Sequence, residues 1–276
     1  MFVMVLTGCA ANDVMLLRDA AETGRQPPPP GLIVVDVQPG DPGMIRQESG
    51  VCWLAGGWPQ VSIDVLGLDS GTVARLADLP TGVATGAARS IFLDRGRLVL
   101  LVDASGAGGR LVTVDARTGL TVGVARVDAE ELHRAGGKLF DASSGGAIRT
   151  YDRYFSARDV LRGAPVRQAW SSSVSQLGNG DAALPATWHA TDEVHLLDPA
   201  TGRDLQTIAL EGFDTWVTDV QHTGRRLYLL DDGRGGLAPP HEQTFSVFHG
   251  RTGANLANFV LGGVTYGSFY CAGVGP

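Results

Sequence analysis

The sequence predicts an all-β chain: a β-propeller of four-stranded antiparallel blades, five or six in number. Three observations predict it. First, a hairpin recurs. Leu111–Gly119, Val194–Gly202 and Phe245–Gly253 each run an alternating strand into nearly the same turn, and Ile63–Gly71 is a shorter relative. Second, the copies are regularly placed. Their turn glycines fall at 71, 119, 202 and 253, so the gaps are 48, 83 and 51 residues and the middle one spans two periods. Repeats of about 40–50 residues, each one supersecondary unit, mark propeller blades. Third, 38 Gly and 14 Pro among 276 residues suit many tight turns, and long 3.6-period stretches are absent.

The recurring turn has a physical logic. Asp115 and Asp198 open it. A carboxylate there hydrogen-bonds the backbone two residues on and fixes the start of a type I turn. Gly119, Gly202 and Gly253 end it. A glycine accepts the left-handed backbone that a hairpin bulge requires. The third copy has His249 where the others have Asp.

Along the chain, residues 1–30 are set apart from a single propeller domain at 31–276. The opening Met1–Cys9 is a short apolar run ending in Leu-Thr-Gly-Cys, which resembles the lipobox of bacterial lipoproteins. That resemblance implies lipidation of Cys9, with the polar stretch after it, ending in Pro27–Pro30, as a stiff extended tether. No positively charged region precedes the apolar run, so either the true start lies upstream of Met1 or the match is accidental and the N-terminus is a disordered segment. Gly31–Val37 is continuously apolar and reads as an inner or closing strand.

The blades follow. Val51–Ala55, Val61–Leu68 and Thr72–Leu79 make the first. Ser90–Leu93, Arg97–Asp103, Arg110–Asp115 and Thr121–Val127 make the second, the clearest four-stranded unit. Asp128–Arg134 is the best short helix candidate. Blade three occupies roughly 130–168, with strand segments at Lys138–Asp141, Ala147–Asp152 and Arg158–Leu161 and a turn near 156. Blade four takes Trp170–Leu177, Ala186–His189, Glu193–Asp198 and Asp204–Leu210. Blade five takes Trp216–Gln221, Arg226–Leu230, Thr244–His249 and Ala254–Leu261. The tail Val264–Cys271 either pairs with blade one and closes the ring or begins a sixth blade. If it closes the ring, Cys52 and Cys271 become neighbours, and an exported protein would keep a disulfide between them; the alternative is two buried thiols.

These hairpins resemble those of the YVTN and quinoprotein-like (PQQ-like, WD40-like) propeller families, over about residues 63–261. The resemblance implies the fold and no particular activity. Quinone-dependent members place a Trp shortly after the turn glycine. Here Leu120–Gly123, Arg203–Gln206 and Ala254–Ala257 hold none, so no cofactor is expected.

Composition limits the function classes. The net charge is −7, and no Lys/Arg stripe forms, which excludes nucleic acid as a partner. No run approaches the 18 or so apolar residues of a spanning helix, so membrane contact is expected only through the lipid on Cys9. The richest polar segment, Asp231–Glu242, offers Asp231, Asp232, His241 and Glu242 as a ligand or cation loop, with a solvated loop as the plain alternative. His189, His195 and His222, the last close to Asp219, are the other acid–base candidates, without a nucleophile beside them. Five Trp residues (53, 58, 170, 188 and 216) read as blade packing. The expected function is a non-catalytic module of the cell envelope that binds or assembles with a protein or small ligand. The alternatives are a propeller enzyme, an oxidoreductase or hydrolase, with a cation in the central channel, and a cytoplasmic location.

Overall fold

Among the described residues, every element is a strand. The computed structural model describes residues 50–57, 60–84, 86–103, 109–127, 129–136, 138–142, 147–151, 167–171, 176–187, 192–213, 215–233 and 242–272, with the short segments 3–5, 15–17, 32–34 and 36–38. In chain order, β1 (Val3–Val5) and β2 (Met15–Leu17) pair with each other alone. Next come β3 (Leu32–Val34) and β4 (Asp36–Gln38).

Five sheets of four strands or more follow. Blade one holds β5 (Val51–Gly56), β6 (Ser62–Gly67) and β7 (Thr72–Asp78). Blade two holds β8 (Ala88–Asp94), β9 (Arg97–Asp103), β10 (Gly109–Asp115) and β11 (Thr121–Val127). Blade three holds β12 (Leu132–Ala135), β13 (Lys138–Ala142), β14 (Ala147–Tyr151) and β15 (Arg167–Ser171). Blade four holds β16 (Gln176–Leu177), β18 (Leu184–Thr187), β19 (Glu193–Leu197) and β20 (Asp204–Ala209). Between β16 and β18, β17 (Asn179–Gly180) leaves this sheet and pairs in parallel with blade five. Blade five holds β21 (Val217–Thr223), β22 (Arg226–Asp231), β23 (Gln243–His249) and β24 (Asn255–Leu261). The tail strand β25 (Tyr266–Cys271) pairs antiparallel with β5 and becomes the inner strand of blade one.

The core is distributed, not central. Five apolar clusters each fill the space between two adjacent sheets. Val51, Ile63, Ile91 and Leu100 join blades one and two; Phe92, Leu111, Leu132 and Leu139 join two and three. Ala135, Phe140, Leu184 and Leu197 join three and four; Val194, Ile208, Leu227 and Phe248 join four and five. Leu54, Leu66, Tyr228, Phe245 and Phe269 join five back to one. The ring therefore closes, and the protein is an all-β propeller of antiparallel blades. Each blade is apolar on both faces because each face meets a neighbour.

The repeated turn does two jobs. Asp115 Oδ1 accepts from the amides of Arg117 (3.0 Å) and Thr118 (2.9 Å), and Gly119 sits at φ 72°. Asp198 Oδ1 accepts from Ala200 N at 2.7 Å, and His249 Nδ1 accepts from Arg251 N and Thr252 N at 3.3 Å each. An imidazole nitrogen thus substitutes for the carboxylate. All three hairpins carry a register shift just before that residue, at Thr113/Val114, Leu196/Leu197 and Val247/Phe248. The turn also docks on the blade before it. A Cβ on Gly119 would stand 2.6 Å from Leu76 O on β7, and one on Gly253 would stand 1.6 Å from Ala209 O on β20.

Four expectations change. Residues 132–135 are a strand, not a helix, because Leu132, His133 and Ala135 are the buried inner edge of blade three. Trp170–Leu177 is not one strand: Arg167–Ser171 is the outer strand of blade three, and blade four starts at Gln176. Gly31–Val37 is not an inner strand. It divides into β3 on the outer edge of β7 and β4 on the outer edge of β24, straddling the junction of blades one and five from outside. Trp216 is 48% exposed and so is not blade packing, whereas Trp53 is buried and lies against Tyr270 with ring centroids 6.5 Å apart. The turn near 156, Arg158–Leu161, Trp58 and Trp188 lie outside the described residues.

Candidate functional site

The inner strands β25, β8, β12, β16 and β21 surround the axis, and their side chains between the apolar clusters are polar and buried. The reason lies in the backbone. The inner strands β25, β8 and β12 are sheet edges, and their buried N–H and C=O groups need partners. Side chains from neighbouring blades supply them. Gln221 holds the backbone of Cys271 at both ends: its Nε2 donates to Cys271 O (2.8 Å) and its Oε1 accepts from Cys271 N (2.6 Å). Gln243 does the same for Tyr266, donating to its carbonyl at 2.9 Å and accepting from its amide at 2.6 Å. Asn179 bridges blades two and three, donating to Ile91 O (3.0 Å) and accepting from Arg134 N (2.9 Å). Ser90 Oγ accepts from Leu132 N at 3.0 Å.

Asp219 is the one fully enclosed carboxylate among these. Its Oδ2 accepts from the Ser268 hydroxyl and from Phe269 N (2.9 Å), and its Oδ1 accepts from Val220 N (2.8 Å). Burial raises its pKa to about 6, although His133 and the three donors favour the charged form. His133 is 1% exposed; its Nε2 lies 3.3 Å from Glu131 Oε2, and its Nδ1 has no partner. His133, Glu131 and Asp219 thus stand together on the channel wall, and burial lets Asp219 hold a proton up to about pH 6. Sequence reasoning reached Asp219 only as a neighbour of His222 and did not find His133, Asn179, Gln221 or Gln243. The available signal was a polar residue interrupting an otherwise apolar inner strand.

Asp219 and His222 do not pair. Asp219 faces β25, whereas His222 Nε2 donates to Gly250 O (3.2 Å), and burial lowers the His222 pKa. His195 Nδ1 lies 2.5 Å from Asp204 Oδ2, but this pair sits on the outer strands β19 and β20, away from the axis. His189 lies outside the described residues.

The polar loop is clipped at its base. Asp231, at the end of β22, is buried, and its Oδ1 accepts from Gly233 N (2.9 Å) and Thr244 N (2.8 Å). Burial raises its pKa. That carboxylate is engaged in closing the loop. Asp232 is half-buried with its amide donating to Trp216 O (3.0 Å), and Glu242 is half-buried at the far end. His241 and the rest of the loop lie outside the described residues, as does Cys9. Among the described residues, no three His, Cys, Asp or Glu side chains converge as a metal site would need.

Cys52 and Cys271 stand directly opposite each other on β5 and β25 and form a disulfide, with Cα atoms 4.0 Å apart. The backbone of Cys271 is turned toward Gln221, not toward Cys52. The two cysteines are therefore a non-hydrogen-bonded antiparallel pair, the arrangement in which facing side chains come closest.

No protein-family model matches the chain, and no curated protein matches it. Solved structures do. The chain is similar to a protein of unknown function from Bacteroides caccae, with 9% identity and a TM-score of 0.50 over 81% of this chain and 99% of that one. It is also similar to glutaminyl cyclase of Myxococcus xanthus, with 14% identity and a TM-score of 0.45 over 63% and 70% of the two chains. BamB from Moraxella catarrhalis gives 17% identity and a TM-score of 0.33 over 82% and 76%. At such identities the likeness is one of fold and assigns no activity.

Proposed function

We propose that the protein is a non-catalytic propeller of the cell envelope, anchored through lipid on Cys9, that serves as a binding or assembly module. One observation carries the reading. The polar side chains around the inner strands are engaged by the scaffold: Gln221, Asn179 and Ser90 bind backbone groups of other blades, and Gln243, at the start of β23, binds the backbone of Tyr266 on β25. An active site needs polar atoms that converge on a substrate. Here they converge on the protein's own strand edges, which supports a rigid body that works through its outer surface.

A second reading has one observation in its favour. Asp219, with its pKa raised to about 6, and His133, with a free Nδ1, share the channel wall. Such a pair suits acid–base work, and with a cation the site would be that of a propeller enzyme.

Thermal unfolding of metal-stripped protein separates the two. Ca²⁺, Mg²⁺, Mn²⁺ and Zn²⁺ at 1 mM are expected to shift the Tm by no more than about 1 °C. A ligand at about 100 times its Kd would add roughly 2.7 kcal/mol. A rise of several degrees that Asp219→Asn abolishes would favour the enzyme.

A further inference from the structure

We propose that the outer edge of blade two, strand β11, is a docking site for an extended apolar segment of a partner protein that carries a carboxylate, added as a further antiparallel strand. This rests on the binding-module reading and names its surface. Strand β11 ends its sheet, and among the described residues no strand pairs with its outer side. It is apolar where an edge is ordinarily guarded: Val122 is 53% exposed and Val124 46%, and Leu120 just before the strand is 68% exposed. Of the charged residues and Pro that keep edges from pairing, Thr121–Val127 holds one, Arg126. Gly123 has open space around the position of a Cβ, so another backbone can approach.

The rest of the ring indicates what covers such an edge. The outer sides of β7 and β24 are each extended by a short antiparallel strand, β3 and β4, from the stretch Leu-Ile-Val-Val-Asp-Val-Gln. Blades of this propeller therefore grow outward by strand addition, and the added segment is β-branched with one carboxylate. The outer strand of blade four is built differently. It exposes one apolar residue, Leu205, but Gln206 and Thr207 beside it are polar, and its Asp204 is tied to His195.

Charge selects the partner. Arg126 is the one charged residue of β11, it is exposed, and it stands opposite Arg110. Arg110 donates to the carbonyls of Gly82 and Val83, so Arg126 is the cation left to recruit a carboxylate. A second copy of β11 would bring more arginine to the same edge, where like charges destabilise. A segment with the chemistry of residues 32–38 brings the opposite charge. Strand addition of this kind draws affinity from main-chain hydrogen bonds and selectivity from alternate side chains.

A capped synthetic peptide of the sequence Gly31–Gln38 is the probe, titrated into the full chain by NMR up to about 1 mM. Saturable shifts confined to β11 and its neighbour β10 are expected. Amide exchange of residues 120–127 is expected to slow on binding. The Val122→Lys/Val124→Lys protein and a peptide with Asp36→Lys should each bind at least tenfold more weakly. Shifts elsewhere, or unchanged affinity in the double variant, would overturn the assignment. So would a β11-dependent dimer in sedimentation velocity, which would make a second copy the occupant. Should the variant unfold, the exchange measurement on the natural chain decides alone. Failure of the peptide beside a cation-insensitive Tm would reject this edge while the module reading stands; a cation-stabilised channel would reject the module reading itself.

Discussion

Gly253 is asked for two things at once: a backbone at φ 69° and an absent side chain, because a Cβ would stand 1.6 Å from Ala209 O. Gly253→Ala is therefore expected to cost at least about 2 kcal/mol in urea denaturation, well above the ~1 kcal/mol of an average substitution. Gly262→Ala, which meets nothing within 4 Å, is the control and should stay within about 1 kcal/mol. The turn glycines were legible in the sequence; their second task was not, since it depends on which blade lies behind the turn. Asp219 shows the same division. Its pKa in the fold is about 6, above the ordinary 3.8, so the folded state binds its proton more tightly than the unfolded chain does. Its contribution to stability is greatest below about pH 4 and is lost as the pH rises through about 6, by roughly 3 kcal/mol at 1.36 kcal/mol per pKa unit. Asp231 has the same sign of shift, so the Asp219 share is read as the difference between the natural protein and Asp219→Asn. That difference should fall between pH 4 and pH 6 and be level above it; a pH-independent difference would refute the assignment. The sequence offered Asp219 as one acid near a histidine, and only its burial gives it this property.

At the scale of the element, β25 has the largest task. It is the last described strand, the inner strand of the first blade and the partner of the fifth. Five residue pairs and the disulfide hold it to β5, while Gln221, Asp219 and Gln243 hold it to blade five. Those side chains take the place of a ladder where two inner strands are too splayed to pair. Cys271→Ser, or reduction, is expected to lower stability by about 2–5 kcal/mol, because the bond closes a loop spanning 219 residues in the unfolded chain. Hydrogen exchange should locate the loss at β25 and β5 first; uniform loosening of all blades would contradict the role of a local seam. The tail strand and its alternation were readable from Val264 onward. The short helix expected at 128–134 was a misreading of a polar, weakly periodic stretch. Its Leu132, and Ala135 just beyond it, are claimed by the clusters on either side of blade three, and that tertiary demand overrides local preference.

For the whole molecule, the ring explains why the core is five thin layers and why no blade is buried without its neighbours. The proposed attachment to the envelope is tested on the whole chain. With an upstream start supplied, expression in a bacterium that processes lipoproteins is expected to give membrane-associated protein, and Cys9→Ser should release it into the soluble fraction. Equal distribution of both forms would argue against lipidation. The sequence by itself determined the fold class, the positions of the repeated hairpins and the strands that border them. These are written in local signals: period-two alternation, a turn acid or histidine, and a glycine that accepts a left-handed backbone. Only the tertiary structure decided that residues 32–38 lie outside the ring, that Asn179, Gln221 and Gln243 stitch the inner strands, that Asp219 and His133 share one wall, and that no described strand pairs with the outer side of β11. Each of these depends on which backbone edge lies across from a residue far away in the chain, and the alternation within one strand carries no record of its neighbour.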